Sequence, residues 1–110
     1  MNIEEQIKKI NELVNKGNKS SYRLALDKIN SLQKKIKPNS FIQNLTGLII
    51  QKSGQMLDAI KYYEYAHSLD NKNISPLNNL AYIYEKIKKW ELAKKYFDKV
   101  EELDPNNLIY

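Results

Sequence analysis

The chain has 110 residues, 42% of them hydrophobic and 28% charged, with a net charge of +5, one histidine and no cysteine. That length makes one domain, and the missing cysteine excludes a disulfide framework and any thiolate metal site. No apolar run approaches the roughly 20 residues that span a bilayer, and the opening Met1-Asn2-Ile3-Glu4-Glu5 lacks the basic-then-apolar order of a secretory leader, so the expected setting is cytoplasmic, with no membrane contact.

Hydrophobic spacing predicts six helices. The first covers about 2–16, with Ile3, Ile7, Ile10 and Val14 on one stripe, and Gly17-Asn18 breaks it. The second covers about 21–36 on Tyr22, Ala25, Ile29, Leu32 and Ile36, and Pro38 stops it. Asn39 or Ser40 caps the third, about 40–53, which ends near Gly54. The fourth covers about 56–69 on Met56, Ala59, Ile60, Tyr63 and Ala66. Asp70 to Asn73 form a turn. The fifth covers about 74–87, where Pro76 fits the first turn because amides there need no intrahelical partner. The sixth covers about 90–103 on Ala93, Tyr96, Phe97, Val100 and Leu103.

Residues 74–107 repeat 40–73. Pairing each residue with the one 34 later gives nine identities, among them Asn44/Asn78, Lys52/Lys86, Ala59/Ala93, Tyr62/Tyr96 and Asp70/Asp104. A fixed period of this length marks a stacked-hairpin solenoid, an architecture that presents extended binding surfaces. Close crossing within a hairpin needs short side chains, so Gly47 is expected to face Ala59, and Ala81 to face Ala93. Trp90, Tyr63 and Phe97 are expected to fill the space between hairpins, so that Trp90→Ala would cost about 3–5 kcal/mol.

The pattern resembles the tetratricopeptide repeat, on Leu77, Leu80, Ala81, Tyr84, Ala93, Phe97, Val100 and Pro105 in the last copy. In the middle copy the same positions are Gln43, Thr46, Gly47, Ile50, Ala59, Tyr63, Ala66 and Asn71. Residues 6–39 form a looser copy through Tyr22, Ala25, Ile29 and Leu32. The resemblance implies an all-α, right-handed solenoid of three antiparallel hairpins, at about 1–39 (divergent), 40–73 and 74–107. Residues 108–110 would then begin a further helix or a tail.

Catalytic and metal chemistry find no support. His67 stands without a partner of metal-ligand type nearby in sequence. Gly17, Gly47 and Gly54 are too scattered to cradle phosphate. Glu4-Glu5 and Glu101-Glu102 are sequence neighbours that diverge on a helix, so they form no acid/base dyad. No enzyme activity and no cofactor are expected.

The resemblance places the binding surface on the first helices of the hairpins, whose concave face holds an extended peptide or a partner helix. By register, that face carries Asn44, Leu48, Gln51 and Lys52 in the middle copy, and Asn78, Tyr82, Glu85 and Lys86 in the last. Amide side chains offer both donor and acceptor to a peptide backbone, and tyrosine is a frequent interface anchor. The plainer alternative is that these are ordinary exposed helix residues. One subfamily clamps chaperone C-terminal carboxylates; its positions fall here on Ile10, Val14, Leu45, Ser75 and Asn79, which keep amide chemistry only at Asn79 and argue against that ligand.

Two other functions compete with a protein or peptide scaffold. One is a structural module that forms homo-oligomers through an uncapped end at Leu108-Ile109-Tyr110. The other is RNA or acidic-ligand binding by the first hairpin, where residues 1–39 hold nine Lys and Arg against four Asp and Glu. Lys outnumbers Arg seventeen to one, whereas arginine suits bidentate phosphate contacts. A solvated lysine face is therefore favoured over nucleic acid.

Overall fold

Four of the six helices start on an asparagine. The computed structural model describes residues 2–106, and among these the helices are α1 (Ile3–Lys16), α2 (Lys19–Gln33), α3 (Ser40–Lys52), α4 (Met56–Leu69), α5 (Ile74–Lys86) and α6 (Trp90–Leu103). Asn2, Asn18, Asn39 and Asn73 each accept a hydrogen bond from a first-turn amide of α1, α2, α3 and α5, which satisfies a donor that the helix itself leaves open. At α2, Ser21 Oγ also accepts from the Asn18 amide at 3.2 Å, closing a reciprocal box. That box starts α2 two residues before the sequence expectation. The helix also ends three residues early, because Lys34–Ile36 turn away ahead of Pro38.

The turns inside the last two hairpins repeat residue for residue. The amides of Ser53, Gly54 and Gln55 bond to Ile49, Gln51 and Ile50, and those of Ile87, Lys88 and Lys89 bond to Ile83, Glu85 and Tyr84. These backbone bonds set α4 and α6 against the preceding helix although neither begins with a side-chain cap. The shared geometry demands a left-handed residue at the centre, with φ +97° at Gly54 and +63° at Lys88. Glycine takes that conformation freely, whereas lysine meets its own Cβ.

Helices pair as α1–α2, α3–α4 and α5–α6, and successive pairs stack, with α3 on α2 and α5 on both α3 and α4. This is the hairpin solenoid expected from the repeat, all-helical among the described residues. It is elongated, 41 × 26 × 22 Å, with a radius of gyration of 14.3 Å, against about 13 Å for a compact chain of this length. No described helix is long and apolar enough to cross a membrane.

Two apolar clusters run through the stack. One joins α1, α2 and α3 through Ile10, Ala25, Ile29, Leu32, Ile42, Leu45 and Ile49. The other joins α3 to α6 around Tyr63, Leu77, Leu80, Ala81 and Val100. Helix α3 belongs to both and is buried on most sides. Its buried polar groups are satisfied: Ser40 Oγ donates to the Ala66 carbonyl at 2.8 Å and accepts from Asn73 Nδ2 at 2.9 Å, and Thr46 Oγ1 donates to the Ile42 carbonyl at 2.8 Å.

Two packing expectations change. Ala59, Ala81 and Ala93 are buried as expected, but the group that lies against Gly47 is the ring of Tyr63: a Cβ built at 47 would sit 2.8 Å from it. Trp90 does not fill an interhairpin space. It is 60% exposed, since no described helix packs over the outer side of α6. Its truncation to alanine therefore costs about 1 kcal/mol or less. The end segment Leu108-Ile109-Tyr110 lies outside the described residues.

Gly47→Ala tests the close approach. At an open helix interior this change gains roughly 1 kcal/mol; here it should cost about 1–3 kcal/mol in chemical unfolding, because Tyr63 is fully buried and has nowhere to go. Lys88→Gly should act oppositely, raising stability by about 0.5–1 kcal/mol and the melting temperature by a few degrees.

Candidate functional site

The surface made by α3 and α5 is positioned by their direct contact. Asn44 on α3 is half-buried, and its Oδ1 accepts from Asn79 Nδ2 on α5 at 2.9 Å. This is a side-chain bond between the first helices of two hairpins. It leaves a donor group on Asn44 and an acceptor on Asn79, since each amide carries both. Leu48 is half-buried one turn further along α3.

Gln51 follows, half-buried. Its Oε1 accepts from the Tyr63 hydroxyl at 2.6 Å. Tyr63 enters from α4 through the space above Gly47, so the hydroxyl of a core residue reaches a side chain of the candidate surface. Burial pushes that hydroxyl well above the usual tyrosine pKa. Gln51 thus holds the core together as well as lining the surface.

Tyr82 and Lys86 form the outer wall on α5. Both are exposed, one helical turn apart, with Lys86 Nζ 5.3 Å from the centre of the Tyr82 ring. A cation held over an aromatic face at this distance is attracted by the ring's quadrupole. Lys52 and Glu85 are exposed and join no ion pair among the described residues. Asn78 is half-buried on α5, and it is Asn79, its neighbour, that meets Asn44. The structure therefore links Asn44 to α5, Gln51 to α4 and Lys86 to Tyr82, and leaves Leu48, Lys52, Asn78 and Glu85 without polar partners among the described residues.

Sequence reading missed three features. Asn79 was read only as a position of the carboxylate-clamp comparison and not as a member of the candidate surface. The Tyr63–Gln51 bond gave no signal, because the two residues sit 12 apart on different helices. Burial, and then the charges of Lys99 and Lys95 on α6, disfavour the charged form of His67. Two positions of the carboxylate-clamp comparison, Ile10 and Leu45, are core residues, 0% and 7% exposed. Among the described residues no group of His, Asp or Glu side chains could hold a metal ion.

Stacked hairpins with an open, partly polar inner surface define an α-helical repeat protein. The family model of the tetratricopeptide repeat matches residues 75–107, the segment that contains nearly all of α5 and the whole of α6. An "Uncharacterized protein ycf37" from Pyropia yezoensis is 38% identical over 66 residues, covering 60% of this chain and 37% of that protein. A protein of the same description from Porphyra purpurea is 38% identical over 68 residues, covering 62% and 39%. The chain spans well under half the length of these curated relatives.

Tyr63→Phe should cost about 1 kcal/mol at neutral pH by stranding Gln51 Oε1. The alkaline limb carries a second signature. Burial raises the folded pKa of Tyr63, and also those of Tyr84 and Tyr96, so the unfolded chain releases these protons first. Their contribution to stability is whole below about pH 10 and is lost as pH rises above it. Urea unfolding between pH 8 and 11 should show that decline, with a shallower slope in Tyr63→Phe.

Proposed function

We propose that the chain is a non-catalytic scaffold module that binds an extended segment of another protein along the surface of α3 and α5. The observation that carries this reading is the Asn44–Asn79 pair. The hydrogen-bonded amides leave the Asn44 amino group as a donor and the Asn79 carbonyl as an acceptor, the complement of a peptide backbone. Leu48 and Tyr82 offer apolar contact on either side of it. Lys52 and Lys86 outweigh Glu85, so the preferred segment carries an acidic side chain beside an apolar one. Asn78 and Gln51 complete the set, Gln51 being held in place by Tyr63. The family supports a protein-interaction role in general; the partner and the residues that meet it are the proposal.

Affinity capture from a lysate of the source organism tests it. Tyr82→Ala/Lys86→Ala removes two exposed side chains and should fold as the wild type does. A protein retained by the wild-type chain should drop at least tenfold with the double variant, with only modest sensitivity to salt. Equal recovery on both baits would sink the groove assignment. Binding lost steeply with added salt but untouched by the double variant would move the site to the lysines of α1 and α2.

A further inference from the structure

Away from the α3–α5 surface, the junction of the last two hairpins holds a cleft of about 310 Å³ near the C-terminal ends of α4 and α6. Four of its lining side chains carry hydrogen-bond donors: His67 on α4, Asn71 and Lys72 in the following turn, and Lys99 on α6. Leu77 and Leu103 supply apolar lining, and Glu102 is its acidic member. Neither lysine joins an ion pair among the described residues. His67 Nδ1 is buried with no hydrogen-bond partner among them, a condition that costs free energy unless a ligand atom or water meets it.

The repeat supplies a comparison. Moving 34 residues back, the positions of His67, Lys72, Lys99 and Glu102 are held by Gln33, Pro38, Tyr65 and Ser68. The stack therefore forms its preceding junction without a cation, a histidine or a carboxylate at these four places. Hairpin packing alone does not account for their presence at the last junction.

We propose that this cleft binds an anionic oxygen group, a carboxylate or a phosphate, on a ligand with an apolar body. Lys72 and Lys99 supply the charge. Asn71 and the His67 ring supply directional hydrogen bonds, and Leu77 and Leu103 take the apolar part. Glu102 disfavours ligands bearing negative charge at both ends. In the empty cleft, burial and then the charges of Lys99 and Lys95 hold the imidazole below its ordinary pKa. A bound anion offsets those lysines and lets the ring protonate more readily.

His67 is the sole histidine, so its Cε1–H resonance reports on the cleft without ambiguity. Its titration would be followed by NMR at fixed ionic strength, with sodium chloride replaced stepwise by inorganic phosphate or by acetate. The expected result is a saturable rise in the His67 midpoint, by about half a pH unit or more. Lys72→Ser/Lys99→Ser should abolish it while keeping the wild-type circular dichroism spectrum and melt. A response to phosphate alone identifies a phosphate ligand, and one to acetate alone a carboxylate. Equal midpoints in all three salts, or a response unchanged in the double variant, would overturn the proposal.

Discussion

The stack depends on one close approach. Residue 47 has no side chain, so the Tyr63 ring lies directly against the backbone of α3. A fully buried aromatic is the largest single apolar contribution that the α3–α4 pair contains, and its position is fixed at both ends. The backbone of α3 stops the ring, and Gln51 takes the hydroxyl. In the last hairpin the position matching Gly47 is Ala81, which keeps a methyl group, and the position matching Tyr63 is Phe97, which has no hydroxyl. Phe97 is only half-buried. The middle hairpin is therefore the tighter of the two, which agrees with α3 and α4 being the most extensively packed pair.

From that pair the rest follows by stacking. Helix α3 is apolar toward α2 and toward the α4–α6 core, and so cannot be amphipathic in the ordinary sense. Its first residue, the buried Ser40, marks where helix ends converge. Ser40 binds the last turn of α4 and the cap of α5 simultaneously, so the start of α3, the end of α4 and the start of α5 are held by one hydroxyl. That junction sets how α5 lies on α3, and hence which side chains of the two helices meet. The α3–α5 surface is a consequence of core geometry rather than an addition to it.

The presence and order of the helices and their core stripes were legible in the sequence because they are local. The Asn39 cap, the Gly17 and Gly54 turns and the i, i+3, i+4 spacing of apolar residues depend on neighbours along one helix, whereas the caps at Asn2, Asn18 and Asn73 were not read from the sequence. Burial at the ends of the stack was not local. Trp90 occupies the position of Met56, and Met56 packs against the larger core, yet register says nothing about whether a helix covers that position on the far side. The turn residue Lys88 shows the same limit in reverse: register predicts a left-handed residue there from Gly54, although composition does not. The lysines near His67 were not foreseen because they come from α6, about thirty residues later and one hairpin away.

The candidate surface was half legible for the same reason. Thirty-four-residue symmetry picks out Asn44 and Asn78 as equivalents, and equivalence means the same place on successive helices, not contact between them. Contact requires an offset. Helices α3 and α5 lie side by side with a crossing that brings Asn44 to the residue 35 further on, Asn79. The identity Asn44/Asn78 thus has two components. Asn44 is spent partly on joining the helices, while Asn78, displaced by about 100° around α5 from Asn79, has no such bond. A partner reading this surface would meet a braced amide pair at its base and a less constrained amide beside it. Braced donors lose little conformational entropy on binding, so under the proposed reading the Asn44–Asn79 pair, and not the repeated asparagine as such, would be where recognition of a backbone is least costly.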